Sequence, residues 1–430
     1  MADPESSTRP PERERTPLPT RGPWRERLLI PFASLENRNF RLLWLGQLGQ
    51  ASAMWADQVG RSWLTWELTG SATAVGLVNL FRAVPLITLG LVGGVIADRF
   101  DKRGVLIVIQ LWSLAIYASM AVLLVGGWIQ LWHIYLTAFL LGGGMALNQP
   151  VRTSFIPQLL DGSLLVNALA LNSIAINVTR LAGPAAIGFL IALAGGNVGP
   201  AYVVATVLYA LILVTTFMID APSESGARRD VSIARDLLDG FHYMLVENRM
   251  VLVLVVLAMG PLAFAMSYIV LLPVFVTEKL HMGPSAFGLL QSVSAIGALA
   301  GGLTLASMGN VPHKGRVLLV TGVSYGAMVM LLGGLPAPML AFAVVVVAGA
   351  SQTVFRAANS STLLEITPRR FQGRVVSATF LDMGVQSLAT ILAGAVTDRW
   401  DVSMGFVVIG GICVLIVALV GLGVPRVRRL

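Results

Sequence analysis

The sequence predicts an all-α polytopic membrane protein with twelve transmembrane helices in two pseudo-symmetric six-helix bundles. Three observations carry that reading. Apolar runs of about 20 residues, the length a helix rising about 1.5 Å per residue needs to cross roughly 30 Å of hydrocarbon, recur along all but the start of the 430-residue chain. Hydrophobic residues make up 56% of the chain and charged residues only 12%, with a mean hydropathy of +0.77, a balance foreign to soluble domains. Lysine and arginine collect in alternate connections between the runs, as they do where cytoplasmic loops retain positive charge.

The first 38 residues, with "RPPERERTPLPTRGPWRER", are rich in Pro, Arg and Glu and lack the apolar core of a cleaved signal peptide. They read as a disordered cytoplasmic tail whose end, "WRERLLIPF", lies on the membrane surface. Apolar runs then fall at 39–66, 72–97, 103–126, 131–150, 164–193, 199–219, 250–276, 285–309, 316–334, 337–359, 372–397 and 403–424. The polar stretch 220–249 divides six runs from six. It begins as a Pro/Ser/Gly linker and ends with Leu237, Leu238, Phe241 and Met244 at helical spacing. The expected organisation is therefore a tail (1–38), a first bundle (39–219), a cytoplasmic linker (220–249), a second bundle (250–424) and a short tail (425–430).

Apart from Lys279 and Arg399, the connections assigned to the outside carry almost no basic residues. The other side holds Arg99, Lys102, Arg103, Arg152, Arg228, Arg229, Arg235, Lys314, Arg316, Arg369, Arg370, Arg374 and the terminal "RVRR", so both termini are placed in the cytoplasm of a cell membrane.

The halves resemble each other. A shift of 212 residues takes Gly76-Leu77 to Gly288-Leu289, Asp98 to Asn310, Lys102 to Lys314 and Val105-Leu106 to Val317-Leu318, and a shift of 211 takes Asn148 to Asn359 and Pro157 to Pro368. A duplicated six-helix unit gives transporters two rigid bundles around a midplane site.

Several classes drop out. The net charge of +8 is explained by positive-inside loops, so no nucleic-acid partner is expected. The single cysteine, Cys413, lies in an apolar run and offers neither an intramolecular disulfide nor a cysteine-based metal cluster. "GVSYG" (Gly322 to Gly326) matches the nucleophile-elbow pattern but lies within a membrane run, not at a strand-turn-helix. Without a Walker A sequence, energy must come from an ion or substrate gradient, unless another subunit hydrolyses ATP. Neither enzymatic activity, cofactor nor metal is expected; the partners are a small-molecule substrate, protons and the bilayer, and the chain is expected to work as a monomer.

Charges deep within the runs are costly in lipid and must face a cavity, a partner or the bundle interior. They are Asp57, Arg61, Arg82, Arg180, Arg356 and Asp382. Asp57 and Arg82 fall at equal depth on sequential helices, so they are expected to pair, with Arg61, four residues on, as a competing partner. Asp57, Arg82, Asp382 and Arg180 are the candidates for proton coupling, weighed against plain structural ion pairs. Gln47, Gln50, Asn79, Asn172, Asn177, Gln291, Gln352 and Gln386 are candidates to line a substrate cavity. Trp55, Trp63 and Trp66 are placed to stack on an aromatic substrate, with membrane anchoring the competing role of Trp66.

The stretch "GGVIADRFDKRGVL" (Gly93 to Leu106) crowds five charges between two apolar runs. A solvated loop would need no such spacing. Gly90, Gly93 and Gly94 permit close helix approach, and Asp98 emerges where a carboxylate can meet a helix N-terminus or a nearby cation. Here the chain resembles the major facilitator superfamily, whose loop between helices two and three carries a Gly-x-x-x-Asp-Arg-x-Gly-Arg-Lys type signature. Gly94, Asp98, Arg99, Lys102 and Arg103 match it, and Asp101 stands where glycine is usual. "NRNFRLLWLGQL", "WELTGSATAVGLV" and "NQPVRTSFIPQLL" resemble the enterobactin-exporter-like, transmembrane secretion effector branch, a likeness that covers nearly the whole chain after the tail.

The resemblance implies a major facilitator fold and a gating loop (Gly94, Asp98, Arg99, Lys102, Arg103) that latches the outward-open state against the opposite half. It also implies that Gly183, Pro184 and Gly188 in "RLAGPAAIGF" form an exporter-type glycine-proline kink, spaced one residue wider than usual. The fourth helix has Ala138 where the family often has an arginine associated with proton movement, so that role does not carry over. The function expected is a secondary active transporter, a proton-coupled exporter of a small organic compound such as a drug, siderophore or metabolite. Uptake or lipid-linked substrate movement, and a non-transporting scaffold or sensor, are the alternatives.

Overall fold

The computed structural model describes residues 30–220, 243–309, 313–378 and 381–429, with the backbone alone for 30–31, 91–99, 370, 374, 376–378 and 381. The described chain is helical throughout. The first half comprises α1 (Arg38–Thr69), α2 (Ala72–Arg99), α3 (Lys102–Val125), α4 (Leu131–Leu159), α5 (Leu165–Leu193) and α6 (Gly199–Phe217). The second comprises α7a (Arg249–Ala258) and α7b (Tyr268–Glu278), α8 (Pro284–Ser307), α9 (Lys314–Gly333), α10 (Pro338–Ile366), α11a (Arg369–Ala378), α11b (Leu381–Arg399) and α12 (Val402–Gly423).

Local chemistry marks the ends. The Asn37 carboxamide caps α1 by accepting from the Asn39 and Phe40 N–H groups, and Gly70 ends the helix at φ 57°, in the left-handed region where an L side chain is strained. Asp101 caps α3 by accepting from Gly104 N–H at 2.7 Å. That cap accounts for an aspartate where the resembling signature has glycine. The seventh helix is interrupted: a wider turn over Met259–Phe264 and a tighter one over Ala265–Ser267 separate α7a from α7b, and Pro261, which has no N–H to donate, lies in the break.

Among the described residues, nine helices are long and apolar enough to cross a membrane. α1, α4 and α11 are the more polar or interrupted ones. α1 holds the buried Asp57 and Arg61, α4 holds Arg152 between two prolines, and α11 is described in two pieces. Their polar groups face other helices, so low average hydropathy does not exclude an interior place in the bundle.

The duplication is visible in packing. A Cβ added to Gly142 of α4 would strike the carbonyl oxygen of Arg82 on α2, and one added to Gly349 of α10 would strike that of Ser294 on α8. Arg82 and Ser294 are equivalent under the 212-residue shift, while Gly142 and Gly349 are offset by about one helical turn, so a similar glycine-mediated approach joins helices two and four of each half.

One expectation at the start of the chain is corrected. Residues 30–38 are not part of a disordered tail: Ile30–Glu36 form a short 3-10 helix, anchored where the fully buried Ser34 donates to Asn167 Oδ1 at 2.7 Å and to Leu164 O at 3.1 Å. Near the other terminus, Val427 is buried and the Arg428 guanidinium donates to Gly421 O at 2.6 Å. Both segments are held by backbone and side-chain groups that hydropathy does not weigh. The remainder of the first tail, and residues 221–242 with Leu237, Leu238 and Phe241, lie outside the described residues.

The halves meet along α5 with α8 and α2 with α11b. Gly188 faces the Pro284 carbonyl with 2.6 Å left for a Cβ, Gly288 faces that of Pro184, and Gly394 of α11b faces that of Ala72, also at 2.6 Å. Hydrogen bonds between the halves are found in the middle of the helices and toward the end away from the termini, here termed the far end. Gly90, closer to the termini end of α2, has nothing within 4 Å of an added Cβ. Arg356, ten residues before the end of α10, is exposed. The described contacts close the seam at the far end.

Candidate functional site

The seam closes through a carboxylate. Asp398, in the last turn of α11b, accepts from Ser71 Oγ at 2.7 Å, from Ala72 N–H at 2.7 Å and from Thr73 N–H at 3.1 Å. Ala72 and Thr73 open α2, where the first backbone N–H groups lack intrahelical partners and the helix dipole is positive, so a carboxylate from the opposite half caps α2. Burial pushes the Asp398 carboxyl up, but the hydrogen bonds from Thr73, Ser71 and Ala72 outweigh it and hold the group below its ordinary range. Asp401, three residues on, caps α12 by accepting from Met404 N–H at 2.8 Å.

Sequence reasoning passed over this device, although a signal was present. "GAVTDRWD" (Gly394 to Asp401) repeats "GVIADRFD" (Gly94 to Asp101) at four identical spacings, Gly, Asp, Arg and Asp, with an aromatic residue before the last. The second aspartate caps the following helix in both copies. The stretches end α2 and α11, helices that run in opposite directions along the seam.

Of the gating-loop candidates, the side chains of Gly94, Asp98 and Arg99 lie outside the described residues. Lys102 is buried, and Arg103 donates to Thr216 O at 3.3 Å and Phe217 O at 2.7 Å at the end of α6, within its own half. The glycine-proline motif has a packing role. α5 runs unbroken through Pro184, while a Cβ on Gly183 would press on Trp55 at 2.9 Å and one on Gly188 would meet α8. One turn toward the termini from Pro184 lies Arg180.

Deeper in the first half, Asp57 is 3% exposed. Its Oδ1 accepts from Arg61 Nε at 3.0 Å and from the Tyr202 hydroxyl at 3.2 Å. Its Oδ2 faces Arg82 Nη1 at 4.0 Å. The expected competition is thus resolved in favour of Arg61, whose guanidinium also donates to Ile134 O at 2.7 Å and Thr137 Oγ1 at 2.8 Å. The i, i+4 spacing puts Arg61 on the same face as Asp57, whereas Arg82 must reach from α2 and also contacts Met145 Sδ at 3.1 Å.

The second half brings together Arg356, Gln352, Met266 and Asp382. Gln352 accepts from Arg180 Nη2 across the seam at 3.3 Å and donates to Met266 Sδ at 3.2 Å, the sulfur to which Arg356 Nη2 also points at 3.4 Å. Asp382 Oδ1 is buried without a hydrogen-bond partner.

The remaining cavity candidates are scattered. Gln291 is buried with Nε2 unpartnered, and Gln47 is buried with Oε1 unpartnered. Gln50 lines a cavity of about 30 Å³ with Met54, Ser113 and Tyr209 inside the first bundle. Gln386 offers its backbone carbonyl to Ser267 at 3.4 Å, and Asn79 and Asn172 are half-buried. Of the tryptophans, Trp63 stacks on Phe287 across the seam at 6.3 Å, and Trp55 keeps a buried, unpartnered ring N–H beside Gly183. Among the described residues there is no cluster of His, Cys, Asp and Glu able to hold a metal.

A family model described as transmembrane secretion effector matches residues 29–429. The chain is 26% identical to the staphyloferrin A transporter of Staphylococcus aureus, over 84% of this chain and 91% of that protein. It is 22% identical to macrolide efflux protein A of Streptococcus pyogenes, over 91% and 97%. Its fold matches the crystal structure of a POT family transporter in complex with a thioalcohol-conjugated peptide, with a TM-score of 0.74 at 12% identity, covering 91% of this chain and 96% of that one.

Proposed function

Because the chain belongs to the transmembrane secretion effector family of the major facilitator superfamily, a family of multi-pass membrane transporters and not of enzymes, we propose that it exports a small organic compound across the cell membrane in exchange for protons. In this reading twelve spans form two six-helix bundles joined by a cytoplasmic linker at 220–249, both termini are cytoplasmic, and the chain works as a monomer. The far end is then the outside, and the described conformation is closed outward and taken to open inward. The substrate enters from the cytoplasm between the halves, which rock to release it.

The observation that carries the coupling is that α2 holds both a gate and a cation. Its first turn is capped by Asp398 of the opposite half, and ten residues on it presents Arg82 to Asp57 Oδ2. When the outer seam opens, α2 leaves Asp398 and, no longer capped by the opposite half, shifts against α1 within its own bundle and carries Arg82 away from Asp57. Asp57 Oδ2 then loses its facing cation in a buried place, which favours the protonated acid, and a proton is taken from outside. Closing the seam returns Arg82 and expels the proton inward. Asp382, buried with one oxygen unpartnered, is the second candidate carrier. Asp98, at the termini end of the same helix, is assigned the reciprocal latch that holds the outward-open state.

The names of the relatives, a staphyloferrin A transporter and a macrolide efflux protein, support export of a small organic solute. The test compares retention of drugs and secreted metabolites in a deletion strain and an overexpressor, with and without a proton uncoupler, followed by flux in proteoliposomes containing this chain alone. Uncoupler-sensitive loss of a compound from the overexpressor, reproduced in proteoliposomes, is the expected result. A chain that moves nothing in proteoliposomes would leave a scaffold or sensor role.

A further inference from the structure

We propose that Arg180 and Arg356 form a binding site for an oxyanion group of the transported solute, a carboxylate or sulfonate that bridges the two halves. The inference rests on the transport reading but not on its proton step.

Both arginines lie at least ten residues, about 15 Å of helix, from the nearest end of α5 or α10. A guanidinium at that depth is costly unless it is paired or faces a cavity. The interior arginines differ in how they meet that cost. Arg61 is saturated by Asp57, Ile134 O and Thr137, as a structural cation should be. Arg180 donates to one neutral amide oxygen at 3.3 Å, and Arg356 to one thioether sulfur at 3.4 Å. A guanidinium has five N–H donors and a thioether is a weak acceptor, so most of the donor capacity of both groups is unspent. Among the described residues, neither forms an ion pair within 4.0 Å.

The two groups come from opposite halves and converge on Gln352 and Met266, near enough for their charges to repel each other. Among the described residues, Asp382 of α11b is the carboxylate that acts on Arg356, a single negative charge against two positive ones. Tyr268 and Tyr325, the other titratable groups facing the pair, are neutral phenols at ordinary pH. Planar forks of this kind take a carboxylate or sulfonate in two parallel hydrogen bonds.

The position fits a transported ligand. One turn toward the far end, Ala185 N–H donates to Ser292 Oγ at 3.0 Å across the closed seam, whereas Arg356 is exposed. An anion held here touches both halves at once and cancels the repulsion between Arg180 and Arg356. Binding is thereby linked to how the halves sit against each other.

The experiment is calorimetric titration of the purified full-length protein in detergent with two anionic probes, citrate and naphthalene-1,5-disulfonate, beside neutral trimethyl citrate and cationic tetraethylammonium. At least one anion should bind saturably, while the ester and the cation do not. Arg180→Gln and Arg356→Gln should each weaken that binding by about tenfold or more, with recovery in Arg180→Lys and Arg356→Lys, which keep the charge but not the fork. Thermal melts and size exclusion establish that each variant is folded. Failure of both anions to bind the wild type, or undiminished binding in the folded Arg180→Gln/Arg356→Gln double variant, would overturn the proposal. A chain that carries a cationic or neutral compound in proteoliposomes yet ignores both anions would overturn this inference and leave the transport reading standing.

Discussion

The Asp398 carboxylate on α11b accepts a hydrogen bond from the Ala72 N–H at the start of α2, 2.7 Å away and 326 positions distant in the chain. It closes the far end by supplying a helix cap from the opposite half. A cap of this kind contributes about 1–2 kcal/mol, so Asp398→Ala should shift the balance from closed to open by roughly 5–30-fold. The readout is the reaction rate of an impermeant thiol reagent with Ser292→Cys, a buried seam position, in a Cys413→Ser background. The rate should rise by a comparable factor; an unchanged rate would reduce the contact to decoration.

The same group sets a pH expectation. Its carboxyl is held below the ordinary carboxylate range, so the stabilisation it gives the closed state is fully present above that range and is lost only as pH falls through the depressed value. Thiol reactivity at Ser292→Cys, taken relative to a solvent-exposed control cysteine so that the intrinsic rise of thiolate with pH cancels, should therefore stay flat between about pH 5 and 8 and rise only near or below about pH 4. A rise centred near pH 6 would mean that another group governs the far-end seam.

Gly288→Ala should act in the same direction by a different route. The added methyl would meet the carbonyl of Pro184, which belongs to backbone and cannot swing away, and overpacking of this kind costs about 1–3 kcal/mol. The variant should insert normally and populate the far-end-open state. Wild-type thiol reactivity at Ser292→Cys in the Gly288→Ala background would show that the α5–α8 approach has slack.

The all-α membrane fold was legible because its causes are additive: length and hydropathy average over many residues. The depth argument found Asp57 and Arg82, since a fixed rise per residue converts position into depth. It could not find Tyr202 or Ile134, which come from α6 and α4 and depend on how those helices are rotated. Asp398 was missed because two of its three partners are backbone N–H groups, which have no side-chain signature; the repeat of Gly94–Asp101 at Gly394–Asp401 is what betrays it. The docking of Ile30–Glu36 was hidden by the charged stretch before it, which dominates local composition while Ser34 and Asn167 fix the backbone.

Asp57→Asn should keep the fold, because Arg61 retains Ile134 O and Thr137 Oγ1, but should reduce uncoupler-sensitive export to below about a tenth of wild type. Substrate binding should survive, and Asp382→Asn should have the smaller effect. Full pH-dependent export by Asp57→Asn would leave the Asp57–Arg61 pair a structural one.

Orientation is checked with single cysteines. In intact cells an impermeant thiol reagent should modify Gly196→Cys, in the α5–α6 connection at the far end, and leave Ser223→Cys and Ser361→Cys unmodified. Modification of Ser223→Cys from outside would invert the topology.

Alternating access requires reciprocal opening of the two ends. Distances between spin labels, read by pulsed electron resonance in a Cys413→Ser background reconstituted in lipid, report it with one pair at Gly127 and Ala337 across the far end and another at Asp161 and Arg369 across the termini end. Asp398→Ala should lengthen the first distance and shorten the second together. One invariant distance at each end, or both distances growing at once, would contradict alternating access.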